Sequence, residues 1–183
     1  IAHEIRTPIT NLVTQTEIAL SQSRSQQELE EVLYSNLEEF SRMSRMVSDM
    51  LFLAQADNNQ LIPEQRELDL AEEVHKVFEF FEAWAEEKAV ALRFDGSPCQ
   101  VTGDPLMLRR AISNLLSNAI RYTPAGQAVT IALSESAETI RLVVENPGTP
   151  IAAEHLPRLF DRFYRVDPSR QRKGEGSGIG LAI

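Results

Sequence analysis

The chain has 183 residues, 43% apolar and 25% charged, the profile of a folding chain and enough for one large domain or two small ones. Its net charge of −9 is uneven: residues 1–95 carry 19 acidic and 8 basic side chains, residues 96–183 carry 8 and 10. An acidic front half argues against a general nucleic-acid binder, which needs a broad positive surface to displace counterions, while the back half could still hold a small polyanion. The one cysteine, Cys99, excludes an internal disulfide and a Cys-rich metal site. No apolar run approaches the roughly 20 residues needed to span a bilayer. Ile1 begins inside a helical pattern with no capping residue, and Ile183 follows a glycine-rich turn, so the sequence reads as a piece of a longer protein.

In chain order, Ile1, Ile5, Ile9, Leu12 and Ala19 recur at helical spacing. After the polar break 21–25, one series runs Leu29, Leu33, Asn36, Phe40, Met43, Val47, Met50 and a parallel one Leu33, Leu37, Phe40, Val47, Leu51, Ala54. The combined stripe is too wide for a two-helix hairpin to cover, which points to a four-helix bundle formed by two copies; packing on the second half of the same chain is the alternative. Residues 57–60 read as a linker and hinge, giving domains 1–60 and 61–183. An amphipathic helix is predicted from Leu70 to about Lys88, strands over 89–94, 129–134 and 140–145, and a helix from Asp104 to Tyr122, with Asp104 as N-cap and Pro105 in the first turn. The mixture predicts an α+β or mixed-sheet sandwich rather than a doubly wound parallel sheet.

Placed at steps of about 100° with His3 at zero, the apolar positions of the first helix fall between about 160° and 240°. His3 is thus predicted on the wet side with Arg6 and Thr7, flanked by Glu4. On the 104–122 helix, Asn114, Asn118, Arg121 and Arg110 form one polar stripe beside an apolar one. Carboxamide oxygens suit a hydrated Mg²⁺ and arginines suit phosphates, though an ordinary wet helix face would look the same. His75, His155 and Cys99 show no ligand spacing and read as structural or solvated.

His3-Glu4-Ile5-Arg6-Thr7-Pro8 resembles the phosphoacceptor box of the sensor histidine kinases. Asn114 to Pro124 is similar to their N box, Phe160 to Arg165 to their F box, and Gly174 to Leu181 to their second glycine box. Four boxes in order identify the chain as resembling the cytoplasmic catalytic core of a bacterial two-component sensor histidine kinase. Residues 33–63 and 154–170 are similar to the heavy-metal (copper/silver) sensors of that family.

The resemblance implies a helical-hairpin dimerization bundle followed by an ATP-binding α+β sandwich of the histidine kinase/Hsp90-type class, incomplete at its C-terminus. It implies phosphorylation of His3 by ATP, with Glu4 as base, Arg6 neutralising phosphoryl charge and Thr7 holding a water for the phosphatase reaction. Nucleotide contacts fall to Asn114, Asn118, Arg121, Tyr122, Asn146, Gly148, Arg165, Gly176, Gly178 and Gly180, with Mg²⁺ on Asn118 and Asn114. Asn146-Pro-Gly148-Thr-Pro150 departs from the family's Asp-x-Gly-x-Gly: Asn146 can still accept from the adenine amine but carries no charge. The implied partners are a response regulator and a second copy, with no direct nucleic-acid contact. Membrane attachment would come through segments outside this sequence, placing the chain on the cytoplasmic side of an inner membrane. The competing readings are a dimeric adaptor whose nucleotide domain is catalytically idle, and a nucleic-acid patch in the basic stretch 158–173, which has no aromatic platform over 165–173.

Overall fold

The structure, a computed structural model, describes residues 2–58, 60–166 and 178–183, with the backbone but not the side chains of residues 2–4. Among these, 2–58, 60, 162–166 and 178–179 form one compact unit, and 61–161 with 180–183 form the other. No helix of the described residues is long and apolar enough to cross a membrane.

The first unit is a hairpin of α1 (Ala2–Leu20) and α2 (Gln26–Asp57). The polar break that ends α1 also starts α2. Ser25 Oγ accepts the Glu28 N–H at 3.3 Å, and the Ser25 N–H donates to Glu28 Oε2 at 2.8 Å, a reciprocal capping box. The Ser25 N–H and then its hydroxyl, which donates to the same Oε2 at 3.0 Å, hold the Glu28 carboxyl below its usual range. Pro8, Leu12 and Ala19 are the buried ridge of α1, and Asn36, Met46 and Leu53 are the buried residues of α2.

With Asn36 at zero, α2 separates into two adjacent seams. Val32, Glu39, Met43, Met46, Met50 and Leu53 lie within about −100° to 0° and are buried or half-buried. Leu29, Leu33, Leu37, Phe40, Val47 and Leu51 lie within about +20° to +100° and are exposed, Leu33 at 66% and Phe40 at 57%. Of the two predicted apolar series of α2, Leu29, Leu33, Leu37, Phe40, Val47 and Leu51 share the uncovered face, while Asn36, Met43 and Met50, counted with them, sit on the covered one. Beyond α2, Arg162 forks onto Asp57 at 2.7 and 2.6 Å, drawing that carboxyl down and the guanidinium up. Both side chains are about half exposed, so water screens the pair and it adds little stability.

The second unit begins with β1 (Arg66–Asp69), followed by α3 (Leu70–Glu87), β2 (Ala91–Asp95), β3 (Gln100–Gly103), α4 (Pro105–Tyr122), β4 (Ala128–Glu135) and β5 (Ile140–Glu145). The main sheet runs β2-β4-β5, with β2 parallel to β4 and β4 antiparallel to β5, the mixed sheet the sequence predicts. Strands β1 and β3, unforeseen in the sequence, pair antiparallel with Leu68 opposite Val101. Each has four residues, too few to display a two-residue period.

Strand β4 alternates strictly, Val129, Ile131 and Leu133 turning inward onto α3 and α4. Val74, Leu116, Ile120, Val129 and Ile131 are almost wholly enclosed. Each such side chain contributes about 1.5–3 kcal/mol of burial free energy. Asp69 caps α3 and Asp104 caps α4, the latter also accepting the Glu64 N–H at 2.8 Å. That bond, with those from Met107 and Leu106, holds the Asp104 carboxyl below its usual range.

Predicted strand residue Ala89 belongs instead to the turn that ends α3. Its φ is +53°, and the N–H groups of Ala89 and Val90 return to Glu86 and Ala85 carbonyls at 2.8 Å each. This is the Schellman closure, here with alanine where glycine is usual. Between the helices, buried Glu73 lies 2.6 Å from Lys76 Nζ and 3.0 Å from Arg109 Nε. The Arg109 hydrogen points at the Pro105 carbonyl (3.2 Å), so that guanidinium neutralises Glu73 by proximity rather than by a hydrogen bond.

Candidate functional site

Helix α4 decides the site by having two faces. Ile112, Leu116, Ala119 and Ile120 press it onto the core, which turns Arg110, Asn114, Asn118 and Arg121 away from it, all half-buried. The helix begins on a charged cap and ends at Thr123, whose N–H and hydroxyl both donate to the Ala119 carbonyl (3.1 and 2.7 Å). Two ordered ends leave the polar face little freedom to rotate.

Two predicted contacts meet on that frame. The site where a Cβ of Gly180 would stand is 3.6 Å from Asn114 Oδ1, so the last glycine of the glycine-rich turn lies against the first N-box carboxamide. Asn114 Nδ2 is buried and has no acceptor among the described residues. An enclosed amide donor without a partner normally costs about 1–3 kcal/mol, which an anionic oxygen placed there would offset. At the other end, the loop after β5 crosses the C-terminus of α4. A Cβ on Gly148 would come within 2.9 Å of the Tyr122 carbonyl oxygen, a distance that excludes any side chain. Exposed Asn146 turns its Nδ2 to the Pro147 carbonyl at 3.2 Å, leaving its amide oxygen as an acceptor. Tyr122 is 48% exposed beside this loop.

The remaining predicted residues that the structure describes lie in the first unit. Gly178 has φ +70°, and its carbonyl accepts the Phe163 N–H at 2.8 Å; Phe163 is itself left-handed, at φ +64°. The F-box phenylalanine and the glycine-rich turn are thus locked together through backbone, a link that no spacing in the sequence foretells. Arg165 is half-buried, Thr7 half-buried and Arg6 exposed. The side chains of His3 and Glu4, and the whole of Gly176, fall outside the described residues. Cys99 is buried, and its thiol is pushed up chiefly by burial and further by Asp69 and Glu135. That environment makes it an unreactive core residue. His75 is exposed and stacks edge-on with Phe94 at 4.8 Å.

These features define a class. Residues 1–59 match the His Kinase A (phospho-acceptor) domain, and residues 103–183 match the histidine kinase-, DNA gyrase B- and HSP90-like ATPase family. A phosphoacceptor hairpin followed by that ATPase domain is the core of the sensor histidine kinases, and the chain belongs to this family.

Within it, the chain is 76% identical over its whole length to sensor histidine kinase CusS of Escherichia coli K12. It is 69% identical to probable sensor kinase SilS of Salmonella typhimurium, again over its whole length. The chain spans 38% of the length of each of these relatives. Among solved structures, the Acinetobacter baumannii histidine kinase AdeS superposes with a TM-score of 0.81 at 28% identity, covering all of this chain and 83% of that one.

Proposed function

We propose that the chain is the catalytic core of a metal-responsive sensor kinase that phosphorylates itself on His3 and passes the phosphoryl group to an aspartate of a response regulator. Residues 1–60 act as the dimerization and phosphotransfer domain, and residues 61–183 hold ATP. The observation that carries this reading is the pairing on α4: a buried Asn114 Nδ2 with no acceptor among the described residues, on a carboxamide that lies against Gly180, one turn from Asn118. A set of carboxamides, arginines and close-approach glycines fits a nucleotide's phosphates with Mg²⁺.

The residues divide the work. Asn118 and Asn114 would hold Mg²⁺ through carboxamide oxygens, and the bound ion would supply neutralisation of phosphate charge. Arg121, Tyr122, Arg165 and the backbone at Gly176, Gly178 and Gly180 steady the phosphate chain, while Asn146 and Gly148 receive adenine. One imidazole nitrogen of His3 attacks the γ-phosphorus. A P–N bond forms, the bond to the β,γ-bridging oxygen breaks, ADP departs, and Glu4 takes the other ring proton. Arg6 neutralises charge on the phosphoryl oxygens. In the reverse sense, Thr7 and Glu4 orient water onto the phosphorylated regulator. Positioning and charge neutralisation supply most of the rate, as in phosphoryl transfer generally.

The uncovered seam from Leu29 to Leu51 supports assembly of two copies into a four-helix bundle. Similarity to CusS and SilS, with the sequence resemblance to copper and silver sensors, supports a heavy-metal signal and a place on the cytoplasmic side of an inner-membrane protein.

Full-length protein incubated with γ-labelled ATP and Mg²⁺ tests the reading. Acid-labile, base-stable label should appear, vanish in His3→Gln, and vanish in Asn118→Ala with the dimer intact. Asn146, uncharged where the family has an acid, favours one rival, an adaptor with an idle nucleotide domain. Bound nucleotide without any labelling would establish that rival instead.

A further inference from the structure

Among the described residues, the fully buried positions of the hairpin are apolar except at one level. There Asn36, 9% exposed, donates from Nδ2 to Thr16 Oγ1 on α1 at 3.3 Å, a bond between residues twenty apart in sequence. Thr16 commits its own hydroxyl proton to the Leu12 carbonyl at 2.7 Å, so its oxygen is left to accept. Asn36 Oδ1 is buried with no donor among the described residues.

We propose that Asn36 and Thr16 are a register pin that sets the height of α1 against α2, and through it the height of His3. The assignment of His3 as acceptor rests on the function proposed above; the pin itself does not. Apolar ridges, and methionines such as Met43 and Met46 above all, repack when one helix slides along another. A hydrogen-bonded carboxamide does not. Sliding α1 by one turn would carry Thr16 about 5.4 Å away and strand the whole of the enclosed Asn36 amide group. Single buried asparagines fix register in paired helices by this route, at a cost in stability. His3 lies thirteen residues before Thr16 in the same helix, roughly 20 Å along its axis. A continuous helix transmits a slide over that span, and one turn far exceeds the misplacement of about 1 Å that already disrupts a near-attack geometry. Asn36 and Thr16 are positioning residues, acting through α1.

Spin labels at exposed Glu17 and Glu38, each replaced by cysteine with Cys99→Ser, read the register directly in the full-length protein. Labelled chains are diluted with unlabelled ones so that each distance is within one chain. The starting protein and Thr16→Ser, which keeps the hydroxyl, should give one narrow distance. Asn36→Leu and Thr16→Val should add a second population at a resolved, different distance, as a one-turn slide of one label along the axis requires. Asn36→Leu should also melt higher, because it replaces a half-satisfied buried amide by an apolar side chain. Its maximal labelling rate with ATP should fall by roughly tenfold or more, with KM for ATP unchanged. A single unshifted distance in Asn36→Leu, or equal broadening in Thr16→Ser and Thr16→Val, would overturn the pin. If the starting protein takes up no label, the distances still decide the pin and the proposed reaction falls instead.

Discussion

The helical unit and the ATPase-type unit handle their apolar residues in opposite ways. In the second, α3, α4 and the sheet enclose a continuous cluster from Leu70 to Leu133, with Phe81, Trp84 and Leu142 packed around it. In the first, Leu33, Leu37, Phe40 and Leu51 are each 57–66% exposed, and the covered seam contains an asparagine. Two helices have too little mutual surface to enclose two adjacent apolar seams, whereas helices laid on a sheet enclose one face of each. The consequence is that the second unit has its own core, whereas the first leaves an apolar seam uncovered, which the proposed association of two copies would cover.

That contrast can be broken from either side. Leu116→Ala should have the largest effect, about 2–5 kcal/mol from lost burial and the cavity left behind. Thermal unfolding should show the ATPase-type unit melting earlier while the sedimentation mass is unchanged; a shift of less than ~1 kcal/mol would mean the core is not closed. Phe40→Glu is the converse. It should halve the mass measured by sedimentation while the melting of the second unit stays where it was, because an exposed side chain contributes nothing to that core. An undiminished mass would show that the seam is not the association surface.

The smallest effect concerns Asp104. Its carboxyl is held below the usual range by N–H bonds from Glu64, Met107 and Leu106, so the folded chain binds that proton less readily than the unfolded one. The stabilisation is full above the ordinary carboxylate pKa and is lost as pH falls through the depressed one. Asp104→Asn retains a capping oxygen without the titration. Its melting temperature plotted against pH should therefore fall less steeply on the acid side than that of the starting protein. Parallel acid limbs would remove Asp104 from the account.

Much of the frame was legible because it is local. Asp104-Pro105 opens a helix wherever it occurs before an amphipathic run, and α4 begins at Pro105 as the spacing predicts. The same spacing put Asn114 and Asn118 on the face opposite Leu116. Other features were hidden because their causes are distant. Strands β1 and β3 exist through each other, Leu68 finding Val101 across α3 and β2. Asn36 reads as one more member of an apolar series until Thr16 is seen beside it. Nothing in its local sequence announces that Glu73 is buried between Lys76 and Arg109.

By itself, then, the sequence determined where helices start, which faces are apolar and which polar residues share the other face of α4, since caps and periodicity act over a few residues. Tertiary structure decided which carboxamide is enclosed, which glycine leaves no room for a Cβ, and which apolar seam remains in water. Those outcomes depend on what a residue meets from another element, and short-range rules carry no information about it.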